Sequence, residues 1–319
     1  MPRSFDCLLF IGDPHLAARG PGSRIDDFRA TGLNKLRQAL ALARQYKAWP
    51  IITGDLFHRA VESDPVLLGE LFNLLWEFQD LEPACTIGNH DKREFTLTAG
   101  TALQIVFSTR LLMPLGAEGV DVEVAGSLMH VVGLAHGDAL PLKGFEQPTV
   151  LVTHHDLAFP DCEYPGTQPI PDIPGVVVGV NGHVHKAAKA PVKVGAAEWY
   201  NPGNILRVSR GEITNEPGVL LWSPLEGGVR VPLVFKPAEE VFQKITKAAD
   251  HQLSVEDAVI EAEPSLFATL VAAEGELGAQ KTSDGTFLQT LMDEVLSAAE
   301  ASEAERQAMA ALMAAATAD

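Results

Sequence analysis

Five short segments of the 319-residue chain gather aspartate, histidine and asparagine at expected turns: Gly12-Asp13-Pro14-His15, Gly54-Asp55-Leu56-Phe57-His58-Arg59, Gly88-Asn89-His90-Asp91, His154-His155-Asp156 and Asn181-Gly182-His183-Val184-His185. Carboxylate, imidazole and amide oxygen together suit manganese, iron or zinc better than calcium, because imidazole is a poor ligand for hard cations. Two such ions about 3.5 to 4 Å apart can share a carboxylate and clamp the attacking and leaving oxygens of a phosphoryl displacement. A lone Asp-x-His is more often a solvated turn than a metal site, so the weight rests on the succession of segments. The glycines before Asp13, Asp55, Asn89 and His183 are expected to give sharp turns that let the backbone approach an ion.

Each segment follows an apolar run of strand length. Residues 7–11, 50–53, 84–87, 149–153 and 176–180 lead into them, and 129–132 and 219–222 are further runs of this kind. Most are continuous rather than alternating, the pattern of strands covered on both faces. Helical spacing separates the first three. Leu33, Leu36, Leu40 and Ala43 recur on one face with Tyr46 near the end, and Asp64-Pro65 supplies an N-cap acid and an N1 proline for a helix carrying Leu68, Leu71, Phe72, Leu75 and Phe78. Strands alternating with helices imply an α/β fold opening as βαβαβ. In such sheets sites form beyond the carboxyl ends of the strands, so the five loops are expected to converge on one rim.

With 46% apolar and 21% charged residues, the composition is globular and excludes collagen-like, coiled-coil-only and largely disordered classes. The formal charge of −18 is uneven, since residues 236–319 hold 16 acids and 5 bases, a net −11. An acidic chain repels nucleic acid at long range, so contact with phosphates must come from a few basic side chains or from metal ions. The texture changes near 235, dividing a catalytic domain at 1–235 from an acidic, Ala/Glu-rich helical region at 236–319. There Phe287, Leu288, Leu291, Met292, Val295 and Leu296 form one stripe, and Ser302 with Glu305 resembles a capping box. The stripe reads either as packing on its own domain or as docking on a partner. Cys7, Cys85 and Cys162 show no CxxC spacing, which supports neither a disulfide framework nor a zinc ribbon. The apolar run at 7–11 is too short for a signal-peptide core or a spanning helix, so a cytoplasmic protein without membrane contact is expected.

Taken together, Asp13-x-His15, Gly54-Asp55, Gly88-Asn89-His90-Asp91, His154 and Gly182-His183-x-His185 resemble, in order, the motifs of the calcineurin-like metallophosphoesterases, over residues 5 to about 205. The resemblance implies an α/β metallophosphoesterase fold, two packed mixed β-sheets flanked by helices, followed here by the C-terminal helical tail. It implies one ion held by Asp13, His15 and His185, another by Asn89, His154 and His183, and Asp55 bridging them. The cofactors implied are two divalent metal ions, manganese first, with iron, zinc or magnesium as alternatives. His90 would protonate or stabilise the leaving oxygen with Asp91 orienting it, and His58 and Arg59 would meet substrate phosphate. One of the neighbours His154 and His155 is expected as a ligand, His154 being preferred as the first residue after its strand. His130, His136 and His251 match no motif and are read as structural.

The stretch Gly54-Asp55-Leu56-Phe57-His58 is more narrowly similar to DNA repair exonucleases of the SbcD type, whereas phosphoprotein phosphatases typically carry Gly-Asp-x-Val-Asp-Arg-Gly there. That likeness implies a metal-dependent DNA nuclease, an exonuclease of repair or recombination. Its implied partners are DNA and an SbcC-like coiled-coil ATPase docked on helices beyond the catalytic domain; a homodimer is a separate alternative that the likeness does not decide. Two other readings stay open: a phosphodiesterase or phosphatase for a small substrate, and an inactive scaffold, against which the intact set of seven ligand positions argues.

Overall fold

The computed structural model describes residues 3–93, 95–141, 143–162 and 168–243. Of the acidic C-terminal region only 236–243 falls within them; the expected helical stripe and capping box lie outside the described residues.

Among the described residues the strands form two mixed sheets. The first runs in the order β1 (Arg3–Phe5), β6 (Val120–Val124), β7 (Ser127–Leu134), β8 (Thr149–Thr153), β9 (Val176–Asn181), β11 (Ala197–Tyr200), β10 (Val192–Val194). The second runs β13 (Gly227–Pro232), β12 (Gly218–Ser223), β2 (Cys7–Ile11), β3 (Ala48–Ile52), β4 (Ala84–Cys85), β5 (Met113–Pro114). Within them β2, β3 and β4 are mutually parallel, as are β7, β8 and β9, while β12 runs antiparallel to β2.

The continuous apolar runs have a direct cause in this layering. Leu8 and Phe10 of β2, with Trp49 and Ile51 of β3, meet Val150, Val152, Val178 and Val180 of the first sheet in one core. Their alternates Cys7, Leu9, Ile11 and Ile52 pack in a second core with α1 (Phe28–Gln45), α2 (Pro65–Glu77) and α3 (Ala102–Ser108). Side chains on both faces of these strands leave water, each large one stabilising the fold by about 1.5–3 kcal/mol. A third core lies on the far side of the first sheet, where Leu151 and Trp199 pack with Leu157, Phe159 and Val184 from the loops after β8 and β9.

The helices start where their caps dictate. Asp27 Oδ1 accepts from Ala30 N at 3.0 Å at the head of α1, and Asp64 Oδ1 accepts from Val66 N and Leu67 N at 3.0 and 2.8 Å at the head of α2, with Pro65 first in the helix. Leu36, Leu40 and Ala43 are buried along α1, and Leu67, Leu71, Leu74 and Leu75 along α2, one position round from the expected Leu68 and Phe72, which are only partly buried.

Residues 234–243 close over α1 and the 23–26 loop. Val234 N donates to Gln38 Oε1 at 2.8 Å, Lys35 Nζ donates to Val234 O, and Ile25 N donates to Val241 O at 2.9 Å. Buried Phe242 lies under the Arg24 and Arg207 guanidinium groups, 5.3 and 5.8 Å from its ring centre. The compact unit therefore extends to Gln243. All three cysteines are buried and unpaired, and no described helix is long and apolar enough to cross a membrane.

Phe10 is fully buried between the two sheets. Phe10→Ala is expected to cost about 3–5 kcal/mol of unfolding free energy, read from the denaturant midpoint, and a loss below about 1 kcal/mol would contradict the double-sheet core.

Candidate metal centre

Strands β2, β3, β4, β8 and β9 end beside one another, and their loops are tied together by backbone. His15 N donates to Asp55 O at 2.9 Å and Leu16 N to Leu56 O at 2.8 Å, zipping the first two loops. Asn181 binds the ends of β8 and β9: its Oδ1 accepts from Thr153 Oγ1 at 2.7 Å and from His155 N at 3.0 Å, and its Nδ2 donates to His155 O at 3.0 Å. Val184 is buried beneath the rim, while its neighbours His183, whose backbone amide donates to Asp13 Oδ2 at 2.8 Å, and His185, whose ring meets that of His15, face the site.

The turns differ from expectation in where the strain sits. Among the preceding glycines only Gly54 has a left-handed φ, 112°, whereas His15, Asp55 and His183 themselves adopt φ of 44°, 49° and 70°. Such conformations cost non-glycine residues on the order of 1–3 kcal/mol and persist where surrounding contacts over-determine them. Gly88 is required by close approach: a Cβ there would run into Asp55 N and Oδ1.

On one side, His15 Nε2 and His185 Nε2 face each other at 2.8 Å, with Asp13 Oδ2 3.8 Å from His185. His185 Nδ1 donates to Glu212 Oε1 at 2.6 Å, so its Nε2 is the edge left for a ligand. On the other side, His154 Nδ1 donates to Thr53 O at 2.8 Å and His183 Nε2 pairs with Asp156 Oδ1 at 2.6 Å. Their remaining nitrogens, His154 Nε2 and His183 Nδ1, each lie 3.1 Å from Asn89 Oδ1. Between the two sides sits Asp55, its Oδ2 3.8 Å from His15 Nε2 and 3.2 Å from His154 Nε2.

This donor set fits a pair of divalent ions. Lone-pair-bearing atoms converge from separate loops, the outward nitrogens of His154, His183 and His185 are already committed to backbone or carboxylate partners, and Asp13, Asp55 and His154 are almost wholly buried. Protons fill the place of a cation otherwise: burial alone would push the His154 ring down, but Asp55 and Asp13 outweigh it and lift it to about 10. Burial acts likewise on His185, and Glu212 with Asp13 overrides it to about 9. Ion binding must displace such protons, so affinity falls as pH falls.

His90 stands at the edge of this set, 5.0 Å from the His15 ring and stacked on His58 at 5.7 Å. Its Nδ1 donates to His58 O at 2.8 Å. This corrects the role expected of Asp91, whose carboxylate is turned to the backbone instead. Oδ1 accepts from Phe57 N at 3.3 Å and Oδ2 from Gly88 N at 2.9 Å, and burial reinforced by Asp55 lifts the group to about 7. Asp91 thus joins the second and third loops from below, and the His58 backbone orients His90. Burial and then His90 push the His58 ring down to about 4, and Arg59 is exposed beside it.

His155 points away from the cluster, with Nε2 on Asp138 O at 2.8 Å, and leaves His154 as the member of the pair in the site. His136, expected to be merely structural, lies in the site: its ring is 5.4 Å from His183 and 6.3 Å from His154. Glu212 and the pairing of Asp156 with His183 carried no sequence signal, because a carboxylate backing an imidazole has no fixed spacing from it.

The calcineurin-like phosphoesterase family matches residues 8–187. The chain belongs to this family. Calcineurin-like phosphoesterases hydrolyse phosphoesters and depend on two metal ions, so a hydrolase with this fold is established, with clusters present that could hold the ions. Solved structures similar to this chain include TT1561 of Thermus thermophilus, at 13% identity over 72% of this chain and 99% of that one, with a TM-score of 0.44. Others are the sulfate thiohydrolase SoxB of Thermus thermophilus, at 14% identity, 75% and 58% coverage and a TM-score of 0.41, and a dimetal phosphatase from Danio rerio, at 9%, 73% and 100%, and 0.39. No curated protein matches the sequence.

Since a Cβ on residue 88 would displace Asp55, Gly88→Ala is expected to fold yet fail to retain two Mn²⁺ per chain on metal analysis after desalting. Full retention of both ions would contradict the close packing of these loops.

Proposed function

We propose that this phosphoesterase is a DNA nuclease of the SbcD type, a phosphodiesterase with one ion on Asp13, His15 and His185, a second on Asn89, His154 and His183, and Asp55 shared. The observation that carries the reading is the placement of Asp55 Oδ2 between His15 and His154, with His90 held beside them by the carbonyl of His58. Leu56, Phe57 and His58 carry the nuclease likeness, and they are the residues that build this support: Leu56 O and Phe57 N are fixed to neighbouring loops, and the His58 ring stacks on His90.

When bound, the ions, manganese first, supply Lewis acidity and offset charge on the phosphoryl group. The chain's own groups do the rest. Asp13 and Asp55 bring two buried carboxylates that offset part of the cations' charge. Because Nδ1 of His90 is committed to a carbonyl, Nε2 is the atom at which the ring holds a proton for the leaving oxygen. His58 presents its ring beside His90, and exposed Arg59 gives a phosphate the positive charge that the acidic surface lacks. An SbcC-like ATPase, docked beyond the catalytic unit, is the partner this reading carries. The same acidic surface favours a second reading, hydrolysis of a small phosphodiester or phosphomonoester.

Mn²⁺-loaded protein offered single-stranded DNA, duplex DNA, a generic phosphodiester and a phosphomonoester separates the two. The nuclease reading expects DNA to be cleaved with the highest kcat/KM, and hydrolysis confined to the small esters would refute it. For the site, Asp55→Asn is expected to leave less than about a tenth of wild-type turnover. His90→Asn should retain both ions while turnover falls by about 10²–10⁴-fold. A missing ion in the latter variant would make His90 a ligand instead.

A further inference from the structure

Glu212 lies on a single turn, Arg210–Glu212, outside every motif that the sequence singles out. Its two oxygens have separate tasks. Oε1 accepts from His185 Nδ1 at 2.6 Å, while Oε2 accepts from Asn204 Nδ2 at 2.7 Å and Val208 N at 2.6 Å. Asn204 N donates in turn to His185 O at 3.0 Å, which closes a ring of hydrogen bonds from imidazole through Glu212 and Asn204 back to the His185 backbone. The turn is itself pinned, by Arg207 Nη1 donating to Ile213 O at 3.2 Å and by Arg210 donating to Gln243 O.

The two sides of the centre differ in what immobilises their histidines. His154 has no exposed surface, so packing and the Thr53 carbonyl suffice to fix it. The side chain of His185 is 29% exposed and that of Glu212 is 12% exposed. Packing alone leaves such a ring free to turn about its χ2 bond and present either nitrogen, and a charge-assisted bond to Nδ1–H removes that freedom. It also makes Nε2 the more basic donor.

We propose that Glu212 is a positioning residue, fixing the His185 ring so that Nε2 faces Asp13 and His15 and thereby setting how tightly that side of the centre holds its ion. The proposal rests on the reading of Asp13, His15 and His185 as ligands. Carboxylates in this role typically contribute 10–100-fold in metal affinity.

Calorimetric titration of the metal-free full-length chain with Mn²⁺ tests it, comparing wild type with Glu212→Gln and Glu212→Ala. Wild type is expected to take up two ions. Glu212→Gln keeps an acceptor oxygen without charge and is expected to weaken one ion by about tenfold; Glu212→Ala removes the contact and is expected to weaken the same ion by about a hundredfold, the other ion being unchanged in both. Hydrolysis of a small phosphodiester should fall at limiting Mn²⁺ and recover at saturating Mn²⁺ with substrate KM unaltered. Wild-type affinity for both ions in either folded variant, even with a lowered melting temperature, would show that Glu212 only braces the turn and overturn the proposal. Equal weakening of both ions would overturn it too. A wild-type chain that binds no Mn²⁺ refutes the ligand reading itself, and is distinguished because it is seen before any variant is compared.

Discussion

The structure is organised around an electrostatic problem: His154 Nε2, His183 Nδ1 and Asn89 Oδ1 meet within 3.1 Å contacts, and none brings a hydrogen to the meeting once the outward nitrogens are bonded to Thr53 O and Asp156. Opposed lone pairs repel, and the buried carboxylates of Asp13 and Asp55 add negative charge beside them. Only a cation or extra protons can hold such a set together. The upward displacement of His154 and His185 is the same demand expressed in protons.

Holding these groups in place requires a rigid frame, and the two sheets supply it. The loops after β2 and β3 are zipped by backbone bonds, those after β8 and β9 are joined through Asn181, and Asp91 links the loop after β3 to that after β4. Left-handed backbone at His15, Asp55 and His183 is tolerated because each is flanked by buried core residues, Leu16, Leu56 and Val184 among them. Strain at the rim is thus offset by apolar burial one residue away, a local trade that fixes side-chain direction.

Much of this is legible in the sequence. Residues 7–11 and 149–153 are strands with the bounds expected of them, since both faces are apolar, and the Asp64-Pro65 cap marks the start of α2. The strands β1, β6, β10 and β13 escape notice because exposed residues interrupt each of them and their apolar content is thin. The short α3 is missed for want of length. At the site, the metal-capable residue types stand out in sequence, whereas the positive φ of the ligands and the partners of their outward nitrogens depend on tertiary contacts. Glu212 meets His185 only because the 201–212 loop folds back over β9's end, and His136 enters because its backbone N bonds Ile87 O at 2.9 Å.

The most direct measurement is anomalous diffraction at the manganese edge from crystals grown with Mn²⁺. The account predicts two peaks, one against Asp13, His15 and His185, the other against Asn89, His154 and His183, with Asp55 Oδ2 touching both. A single peak, or density held by His136 and Asp156 instead of Asn89 and His154, would contradict it.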